Sequence, residues 1–344
     1  MSHSTGGVAV TPSDTVAHAA QCRLCDAPLS RTFVDLGMSP LCESFVRPEK
    51  LNAMEPFYPL RVWICDRCLL VQLEEYVPPE EIFHDYAYFS SYSDSWVAHA
   101  ERYCEAMIER FGIGRESQVL ELASNDGYLL QHFVARGIPV LGVEPAANVA
   151  AAAVDRGVPT RVAFFGRAEA AIMAGEGVHA DLVIANNVFA HVPDITDFAG
   201  GISALLADEG VATLEFPHLI RLIDGVQYDT IYHEHFSYLT LLTAERALAE
   251  GALAAFDVEE LPSHGGSLRV YAGHPGRREP TAALRDLRAR ERADGYSSVE
   301  GYSGFGPSVE ASKRSLLRFL IEARTRGKSV VGYGAPGKGN TLLN

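Results

Sequence analysis

Residues 117–130, SQVLELASNDGYLL, contain a short apolar strand pattern, a run of small and polar residues with a glycine, and the start of a helical pattern. A second apolar strand pattern, PVLGVEP, follows at residues 139–145. Strand, helix and strand in this order indicate a βαβ unit, in which the two strands lie parallel and the helix crosses between them.

The same alternation continues along the chain. Residues 96–113 have apolar side chains spaced three and four apart, and residues 148–158 and 195–210 are also helix-like, whereas residues 180–192 and 211–217 are strand-like. Repeated units of this kind predict an α/β fold with helices on both faces of a parallel sheet. Ligands of such sheets bind beyond the carboxyl ends of the strands. We therefore look for function in the loops after the strands.

Composition limits the classes of function. The chain has 344 residues, of which 47% are hydrophobic, and this suits a globular protein of two or three domains. Its formal charge of −15 disfavours DNA or RNA as the main partner, because such binding depends on Lys and Arg. Residues 1–20 lack the pattern of a signal peptide, and no apolar run is long enough for a membrane span. We expect a disordered tail at 1–20, no membrane partner and a cytoplasmic location.

The cysteines suggest a metal site. Two C-x-x-C pairs, CRLC at 22–25 and CDRC at 65–68, offer four thiolates in the arrangement that tetrahedral zinc prefers. The alternative is two disulfides in a secreted protein, which the missing signal peptide and the leftover thiols Cys42 and Cys104 disfavour. The sequence between the pairs predicts strands of a small sheet. We predict a structural zinc ion bound by Cys22, Cys25, Cys65 and Cys68, and expect Cys42 and Cys104 to be ordinary buried thiols.

An aromatic segment at residues 77–96 joins the cysteine-rich module to the α/β region. Its tyrosines Tyr86, Tyr88 and Tyr92 lie among small hydroxyl residues, a composition suited to a binding loop. The alternative is that they pack this segment against the next domain.

The first loop of the sheet indicates the type of cofactor. ELASNDG at 121–127 does not fit the G-x-G-x-x-G motif of dinucleotide-binding folds. An acid, small residues and a glycine after one strand, with Glu144 closing the next, resemble class I S-adenosylmethionine-dependent methyltransferases. In that resemblance Glu144 accepts hydrogen bonds from the ribose hydroxyls, and Ala123 departs from the usual glycine. The predicted donor-binding residues are Glu121, Ala123, Asn125, Asp126, Gly127, Glu144, Asn186 and Asn187.

Residues 228–239, YDTIYHEHFSYL, concentrate side chains that can move protons. They follow the strand at 211–217 and so reach the cofactor side of the sheet. The zincin motif H-E-x-x-H is excluded, because Ser237 stands where its second histidine is needed. Proton abstraction remains, with an imidazole as base and a carboxylate to orient it. Alternation along an extended segment would place His233 and His235 on one face.

Several motifs together, over nearly the whole chain, resemble the sugar C-methyltransferases of antibiotic deoxysugar pathways. They are the two cysteine pairs, FHDYAYFSSYS (83–93), LELASNDGYLL (120–130), GVEP (142–145), YDTIYHEHFSYL (228–239), SHGGSLRVY (263–271) and GYGAPGKGNTLLN (332–344). The resemblance implies a zinc-binding module at 21–80, a methyltransferase domain at 81–275 and a partial C-terminal Rossmann-like domain at 276–344. In the last of these, residues 328–344 predict a strand and a glycine-rich loop entering a helix.

The resemblance also implies a reaction. A base removes the proton beside the ketone of a nucleotide-linked 4-keto-deoxysugar, and the enolate carbon, C3, takes the methyl group of S-adenosylmethionine. Arg269, in the motif at 263–271, is a candidate partner for an anion. We expect a small-molecule nucleotide-sugar substrate and favour a monomer. The implied catalytic residues are His235 as base, Glu234 as its orienting or assisting group, and Tyr232, His191 and Tyr86 for proton transfer or enolate stabilisation.

Two alternatives stay open from the sequence. An O- or N-methyltransferase acting on a sugar or another small natural product needs little more than proximity and a weak base. A zinc-containing interaction module on a methyltransferase-like fold that no longer binds cofactor is the non-enzymatic alternative, and Ala123 is the residue that favours it.

Overall fold

The computed structural model describes residues 20–42, 44–83, 86–334 and 337–344. The predicted tail at 1–20 lies outside these ranges apart from Ala20. The strands are β1 (Arg31–Ser39), β2 (Tyr58–Ile64), β3 (Val71–Leu73), β4 (Val119–Leu122), β5 (Val140–Glu144), β6 (Thr160–Val162), β7 (Ala180–Asn186), β8 (Leu206–Pro217), β9 (Ser237–Tyr238), β10 (Ala254–Leu261) and β11 (Ser267–Gly273). The helices are α1 (Pro79–Ile82), α2 (Asp94–Phe111), α3 (Leu130–Val134), α4 (Ala147–Asp155), α5 (Arg167–Gly175), α6 (Ile195–Leu205), α7 (Leu219–Asp224), α8 (Leu241–Glu250), α9 (Ala282–Ala293), α10 (Phe305–Thr325) and α11 (Gly337–Leu343).

The larger sheet confirms the predicted α/β fold. Its order is β10-β11-β8-β7-β4-β5-β6, and the five strands from β8 to β6 are parallel. The antiparallel strand β11 is inserted between β8 and β10. The chain reverses its direction of travel across the sheet between β4 and β7, which is the topological switch point where α/β sheets bind ligands.

Helices cover both faces of this sheet. On β7, Leu182 and Ile184 pack into a core shared with α2, α3 and α4, whereas Val183 and Ala185 pack into a core shared with α5, α6 and α8. Alternate residues of a strand point to opposite faces, so a strand buried on both faces is apolar throughout. This is why residues 182–185 of β7, LVIA, form a continuous apolar run.

The smaller sheet joins the cysteine-rich module to the rest of the chain. It is antiparallel, with the order β1-β2-β3-β9, and β9 comes from the segment at 228–239. Phe33 of β1 stacks on Phe305 of α10 with ring centroids 4.7 Å apart. The N-terminal module, the segment at 228–239 and the C-terminal helices therefore share one core.

Several parts of the fold differ from the sequence-based prediction. The helix expected at 195–210 ends at Leu205, and residues 206–210 form the start of β8. The strand expected within residues 328–334 is wrong: the structure assigns no strand there, and the side chain of Val331 is 89% exposed. A strand needs a neighbour for its backbone hydrogen bonds, and none of the described strands lies beside this segment. Neither β6 nor α5 was predicted; β6 has only three residues and lies at the edge of the sheet. No helix in the described ranges has the length and apolarity needed to cross a bilayer.

The loop after β4 contains residues in the left-handed region of the backbone. Gly127 has φ +75°, and a Cβ added there would lie 2.9 Å from Cγ2 of Val158. Gly157, at the end of α4, has φ +82°, but a Cβ added there would meet nothing within 4 Å. Gly127 is thus required both by its conformation and by close packing, whereas Gly157 is required by conformation alone.

This pair separates the two effects. Gly157→Ala should reduce the free energy of unfolding by about 1 kcal/mol, the cost of a left-handed alanine. Gly127→Ala should cost a further 1–3 kcal/mol, roughly the cost of overpacking. Urea denaturation of the two variants measures both losses, and equal losses would show that the contact with Val158 is not rigid.

Candidate active site

A cleft of about 1020 Å³ opens at the carboxyl ends of β4, β5, β7 and β8. Residues of the N-terminal module, of the segment at 228–239 and of α11 form its other walls. Pockets for one small ligand have volumes of roughly 300–1,000 Å³, so this cleft has room for more than one ligand. The predicted site residues that line it are Tyr86, Ala123, Asn125, Glu144, Asn186, Asn187, His191, Tyr232, Glu234 and His235.

Glu144 ties the ends of two neighbouring strands together. Its carboxylate accepts hydrogen bonds from the backbone N–H groups of Asn125 (3.0 Å) and Ala146 (2.9 Å). Burial raises the pKa of this carboxyl group, and the two N–H donors act in the opposite direction. Each oxygen still has a lone pair for a ligand hydroxyl, as expected of a ribose acceptor.

The loop after β4, which donates to the Glu144 carboxylate, makes a tight turn. Ala123 has φ +54° and Asn125 has φ +51°, both in the left-handed region that glycine tolerates best. The side chain of Asn125 accepts from the backbone N–H of Ser90 (2.9 Å) and donates to the carbonyl of Tyr88 (3.1 Å). The aromatic segment is therefore bonded directly to the loop after β4.

Three predicted donor-binding residues lie behind the cleft wall and do not line it. Asp126 is fully buried and forms an ion pair with Arg156 at 2.7 Å. Glu121 is also buried, and burial together with the charge of Glu144 raises the pKa of its carboxyl group well above the usual value. Gly127 allows the close approach to Val158. From these positions Glu121, Asp126 and Gly127 support the conformation of the loop after β4.

Unpaired polar atoms mark the end of β7 as a place for a ligand. Oδ1 of Asn186, Nδ2 of Asn187 and Nδ1 of His191 are buried without a hydrogen-bond partner among the described residues. Buried polar atoms in folded proteins nearly always have partners. All three residues line the cleft, so a bound ligand is the natural source of the missing hydrogen bonds.

His235 lies at the centre of the proton-handling cluster. Its ring centroid is 4.1 Å from that of Tyr232 and 4.6 Å from that of His191. Nδ1 of His235 is 2.8 Å from the carbonyl oxygen of Thr230. A carbonyl can only accept, so Nδ1 carries the proton and Nε2 has the free lone pair.

Burial keeps the imidazoles of this cluster uncharged. It lowers the pKa of His235 well below the usual value, and the neighbouring His191 adds to the effect. Burial, assisted by His264, lowers the pKa of His191 to about 4. A lowered pKa means that protonation occurs only at lower pH than usual, so His235 is in the basic form at pH 7.

His233 does not share a face with His235. The chain turns at this point, with the N–H of His235 bonded to the carbonyl of Tyr232, so the alternation expected of an extended segment is wrong here. Nε2 of His233 is 3.2 Å from the carbonyl of Pro59, and its ring meets the ring of Tyr58. His233 therefore faces the N-terminal module.

Glu234 has a partner that the sequence did not indicate. Sγ of Cys42 donates to its carboxylate at 3.0 Å. The prediction that Cys42 is buried is correct. Its thiol is more than a packing group, because it contacts Glu234, which lines the cleft. The two residues are 192 positions apart, and no local pattern connects them.

The motif SHGGSLR divides between the cleft and the sheet. His264 lines the cleft. Arg269, a candidate anion partner, lies in β11 and is paired with Glu215 at 2.8 Å and Glu259 at 3.0 Å, so that expectation is wrong. The sequence analysis also missed Trp96 and Lys338 as residues of the cleft wall.

Two of the three tyrosines singled out in the aromatic segment line the cleft. Tyr86 and Tyr88 line the cleft, with ring centroids 6.4 Å apart, whereas Tyr92 does not line it and is 80% exposed. The ring of Phe83 links Tyr86 to His191, at centroid distances of 5.4 Å and 6.2 Å. The segment thus brings tyrosines to the histidine cluster.

The four paired cysteines form a single cluster. Sγ atoms lie 3.4 Å apart for Cys22 and Cys68 and 3.6 Å apart for Cys25 and Cys65, and all four lie within 4.8 Å of one another. A disulfide has its sulfurs about 2.05 Å apart. Tetrahedral zinc with Zn–S bonds of about 2.3 Å places them about 3.8 Å apart.

Hydrogen bonds to sulfur support the cluster from outside. The backbone N–H groups of Arg67 and Cys68 point at Sγ of Cys65, and Nε2 of Gln72 donates to Sγ of Cys22 at 3.2 Å. Such donors stabilise thiolates and orient them toward a metal. The residues fit a zinc ion with four protein ligands, which leaves no open position for catalysis.

Elemental analysis should find about one zinc per chain, because four thiolates bind structural zinc tightly. Cys65→Ser should lower the zinc content and the thermal stability. Cys104→Ala removes a buried thiol outside the cluster and should leave the zinc content unchanged. A metal-free wild-type protein that is folded and stable would contradict the zinc site.

Comparisons with known proteins agree with this geometry. Three family models match in succession: "Putative zinc binding domain" at residues 22–83, "Methyltransferase domain" at 96–252 and "C-methyltransferase C-terminal domain" at 262–344. C-methyltransferase NovU of Streptomyces niveus is 34% identical over 331 residues, which are 96% of this chain and 79% of that protein.

Solved structures with a similar arrangement are more distant. An S-adenosylmethionine-dependent methyltransferase from Clostridium acetobutylicum ATCC 824 is 13% identical, covering 51% of this chain and 91% of that chain, with a TM-score of 0.42. Magnesium protoporphyrin IX methyltransferase (ChlM) from Synechocystis PCC 6803 with bound SAH is 14% identical, covering 57% and 92%, with a TM-score of 0.41.

The family models and the extensive match to NovU identify the activity, and with it the cofactors S-adenosylmethionine and zinc and a small-molecule substrate. The chain belongs to the family of S-adenosylmethionine-dependent C-methyltransferases.

Proposed function

We propose that this C-methyltransferase methylates C3 of a nucleotide-linked 4-keto-deoxysugar, in deoxysugar and antibiotic biosynthesis. The proton on C3 is acidic because the neighbouring ketone can take the negative charge as an enolate. Bound S-adenosylmethionine supplies an electrophilic methyl group on its sulfonium sulfur. The observation that carries the proposal is the free lone pair on Nε2 of His235 inside the cleft.

His235 acts as the base. Its Nδ1–H is held by the carbonyl of Thr230, which fixes both the tautomer and the direction of the ring. Nε2 takes the proton from C3, and the electron pair of the C–H bond moves into the enolate. The enolate carbon then takes the methyl group, and the electron pair of the broken S–CH₃ bond stays on sulfur.

The enolate oxygen needs hydrogen-bond donors when its charge develops. Tyr232 and His191 have their rings beside that of His235, and Tyr86 lines the same cleft. We assign enolate stabilisation and proton transfer to this group. Glu234, held by Cys42, precedes His235 in the chain and lines the same cleft, and we assign to it the role of an orienting or assisting group.

The donor is proposed to bind at the ends of β4, β5 and β7. Glu144 accepts from the ribose hydroxyls, while Asn186 and Asn187 have unpaired amide atoms available for the rest of the molecule. In this proposal the methyl group lies between the loop after β4 and the histidine cluster. Membership of a C-methyltransferase family favours carbon as the acceptor over the O- or N-methyl alternative, and disfavours a non-enzymatic module.

Glu144→Ala should weaken S-adenosylmethionine binding by about 1.5–3 kcal/mol, or roughly 10- to 100-fold, the scale of hydrogen bonds to a charged group. Calorimetric titration measures the change. Glu144→Gln keeps the shape and one acceptor oxygen, so its affinity should be intermediate. Unchanged affinity in both variants would mean that the ribose lies elsewhere.

His235→Asn keeps polarity but has no basic nitrogen, so turnover should fall by on the order of 10²-fold or more. Affinity for both substrates should change little, because the proton leaves only on the way to the transition state. In deuterated water, the wild type should exchange the proton beside the ketone, and the variant should not.

Two further variants complete this test. His233→Asn changes a histidine that faces away from the cleft, and it should retain exchange. Glu234→Gln should be intermediate if the glutamate only orients the imidazole. If His233→Asn loses exchange while His235→Asn retains it, the base is His233 and not His235. Full exchange in both variants would refute the mechanism.

A further inference from the structure

Arg23, the residue after the first cysteine of the zinc module, reaches beyond that module. Its Nη1 donates to the carbonyl of Pro193 at 2.6 Å, and its Nη2 donates to the carbonyl of Leu73 in β3. Its backbone N–H donates to Oε1 of Gln72 at 2.9 Å, and Nε2 of Gln72 in turn donates to Sγ of Cys22. One residue therefore connects the cysteine cluster to the smaller sheet and to the loop after β7.

The segments that Arg23 contacts meet again at Phe236. The N–H of Phe236 donates to the carbonyl of Ala190 at 2.8 Å, and its carbonyl accepts from the N–H of Leu73 at 3.0 Å. The guanidinium group lies 5.4 Å from the centre of the Phe236 ring. Ala190 and Phe236 are the chain neighbours of His191 and His235, whose ring centroids are 4.6 Å apart. This junction therefore holds both imidazoles through the residues next to them.

The guanidinium group of Arg23 needs a compensating negative charge. Its Nε is buried without a hydrogen-bond partner among the described residues, and its other bonds go to carbonyl oxygens. A buried cation is costly unless it is compensated. The negative groups that act on it are Glu75, Cys22 and Asp194. Four thiolates around Zn²⁺ leave the cluster that contains Cys22 doubly negative, so the loaded cluster supplies a fixed counter-charge beside Arg23.

We propose that Arg23 is a positioning residue of the methyl-transfer reaction, which sets the spacing of His191 and His235 and is itself held by the charge of the zinc–thiolate cluster. This inference rests on the proposed function, in which His235 is the base. The planar fork of arginine donates to two carbonyls at once, a geometry that the compact ammonium group of lysine does not reproduce. The zinc ion in this arrangement influences the site through Arg23, although all four of its ligands are protein sulfurs.

Arg23→Lys tests the positioning directly, because it keeps the charge and changes the geometry of the donors. The variant should bind zinc with the wild-type stoichiometry and remain folded. Turnover, and proton exchange beside the ketone in deuterated water, should fall about 10- to 100-fold, the scale expected when a reacting group is displaced by about 1 Å. Affinity for S-adenosylmethionine, measured by calorimetry, should stay unchanged, because the proposed donor site lies on the larger sheet.

Magnetic resonance of the imidazole nitrogens separates positioning from a general loss of stability. In the wild type, burial and the neighbouring His191 lower the pKa of His235. Separation of the two rings in Arg23→Lys should raise this pKa. The base then stays protonated to higher pH, so the acid limb of the exchange profile should move to higher pH. The variant leaves unchanged the other titratable groups around the ring, which are Tyr232, Tyr238, His264 and Lys338.

Zinc affinity gives a readout that does not depend on the reaction. Coupling between two sites is reciprocal, so Arg23→Met, which removes the charge, should weaken zinc binding by about tenfold in competition with a chelator, whereas Arg23→Lys should retain most of it. Arg246, an exposed residue of α8 that donates to the carbonyl of Cys68 at 2.5 Å, is the matched control. Zinc-loaded Arg246→Met should keep wild-type exchange and the wild-type pKa of His235.

The outcomes that overturn this role are distinct. Wild-type exchange and an unchanged pKa of His235 in zinc-loaded Arg23→Lys and Arg23→Met would refute it. Equal losses of exchange in Arg23→Met and Arg246→Met would also refute it, because both residues would then act only through the stability of the zinc module. The proposed function fails separately, if the wild type exchanges no proton. In that case the pKa of His235 and the zinc affinity still decide whether Arg23 positions the imidazole.

Discussion

The pairing of β9 with β3 is the interaction on which the site depends. Tyr238 pairs with Val71, and Ser237 pairs with Gln72. On the other side, Leu239 bridges to His218 just beyond β8, at the cofactor edge of the larger sheet. The three residues 237–239 are thus paired with both sheets, and the turn that precedes them is fixed between the sheets. The zinc module is therefore part of the scaffold that positions His235, the proposed base.

The electrostatics of the cleft follow from its burial. Its histidines His235 and His191 are desolvated and uncharged, and its proposed ribose acceptor, Glu144, is held by backbone N–H groups. Beside such desolvated groups a developing enolate charge interacts more strongly with fixed donors than it would in water, because the local dielectric is lower. The protein can thereby stabilise the transition state through groups that are already in place before the reaction.

Features that depend on residues close together in the sequence could be predicted from sequence patterns. The apolar periodicity of β4, β5 and β7 identified the sheet, and the C-x-x-C spacing identified the cysteine cluster. Contacts between distant residues could not be predicted in this way. Cys42 meets Glu234, and Arg269 is neutralised by Glu215, only because the sheets bring these residues together. The orientation of His233 depended on a turn that an alternating pattern does not reveal.

Asn125 connects the two halves of the cleft. Its backbone donates to Glu144 at the donor end, and its side chain holds the backbone of Tyr88 and Ser90 at the acceptor end. A ligand that orders the loop after β4 therefore also orders the aromatic segment. By thermodynamic reciprocity, each substrate should then bind more tightly in the presence of the other, by the same factor. The consequence is that whichever substrate binds first prepares the surface on which the other docks, so the coupling through Asn125 favours no fixed order of binding.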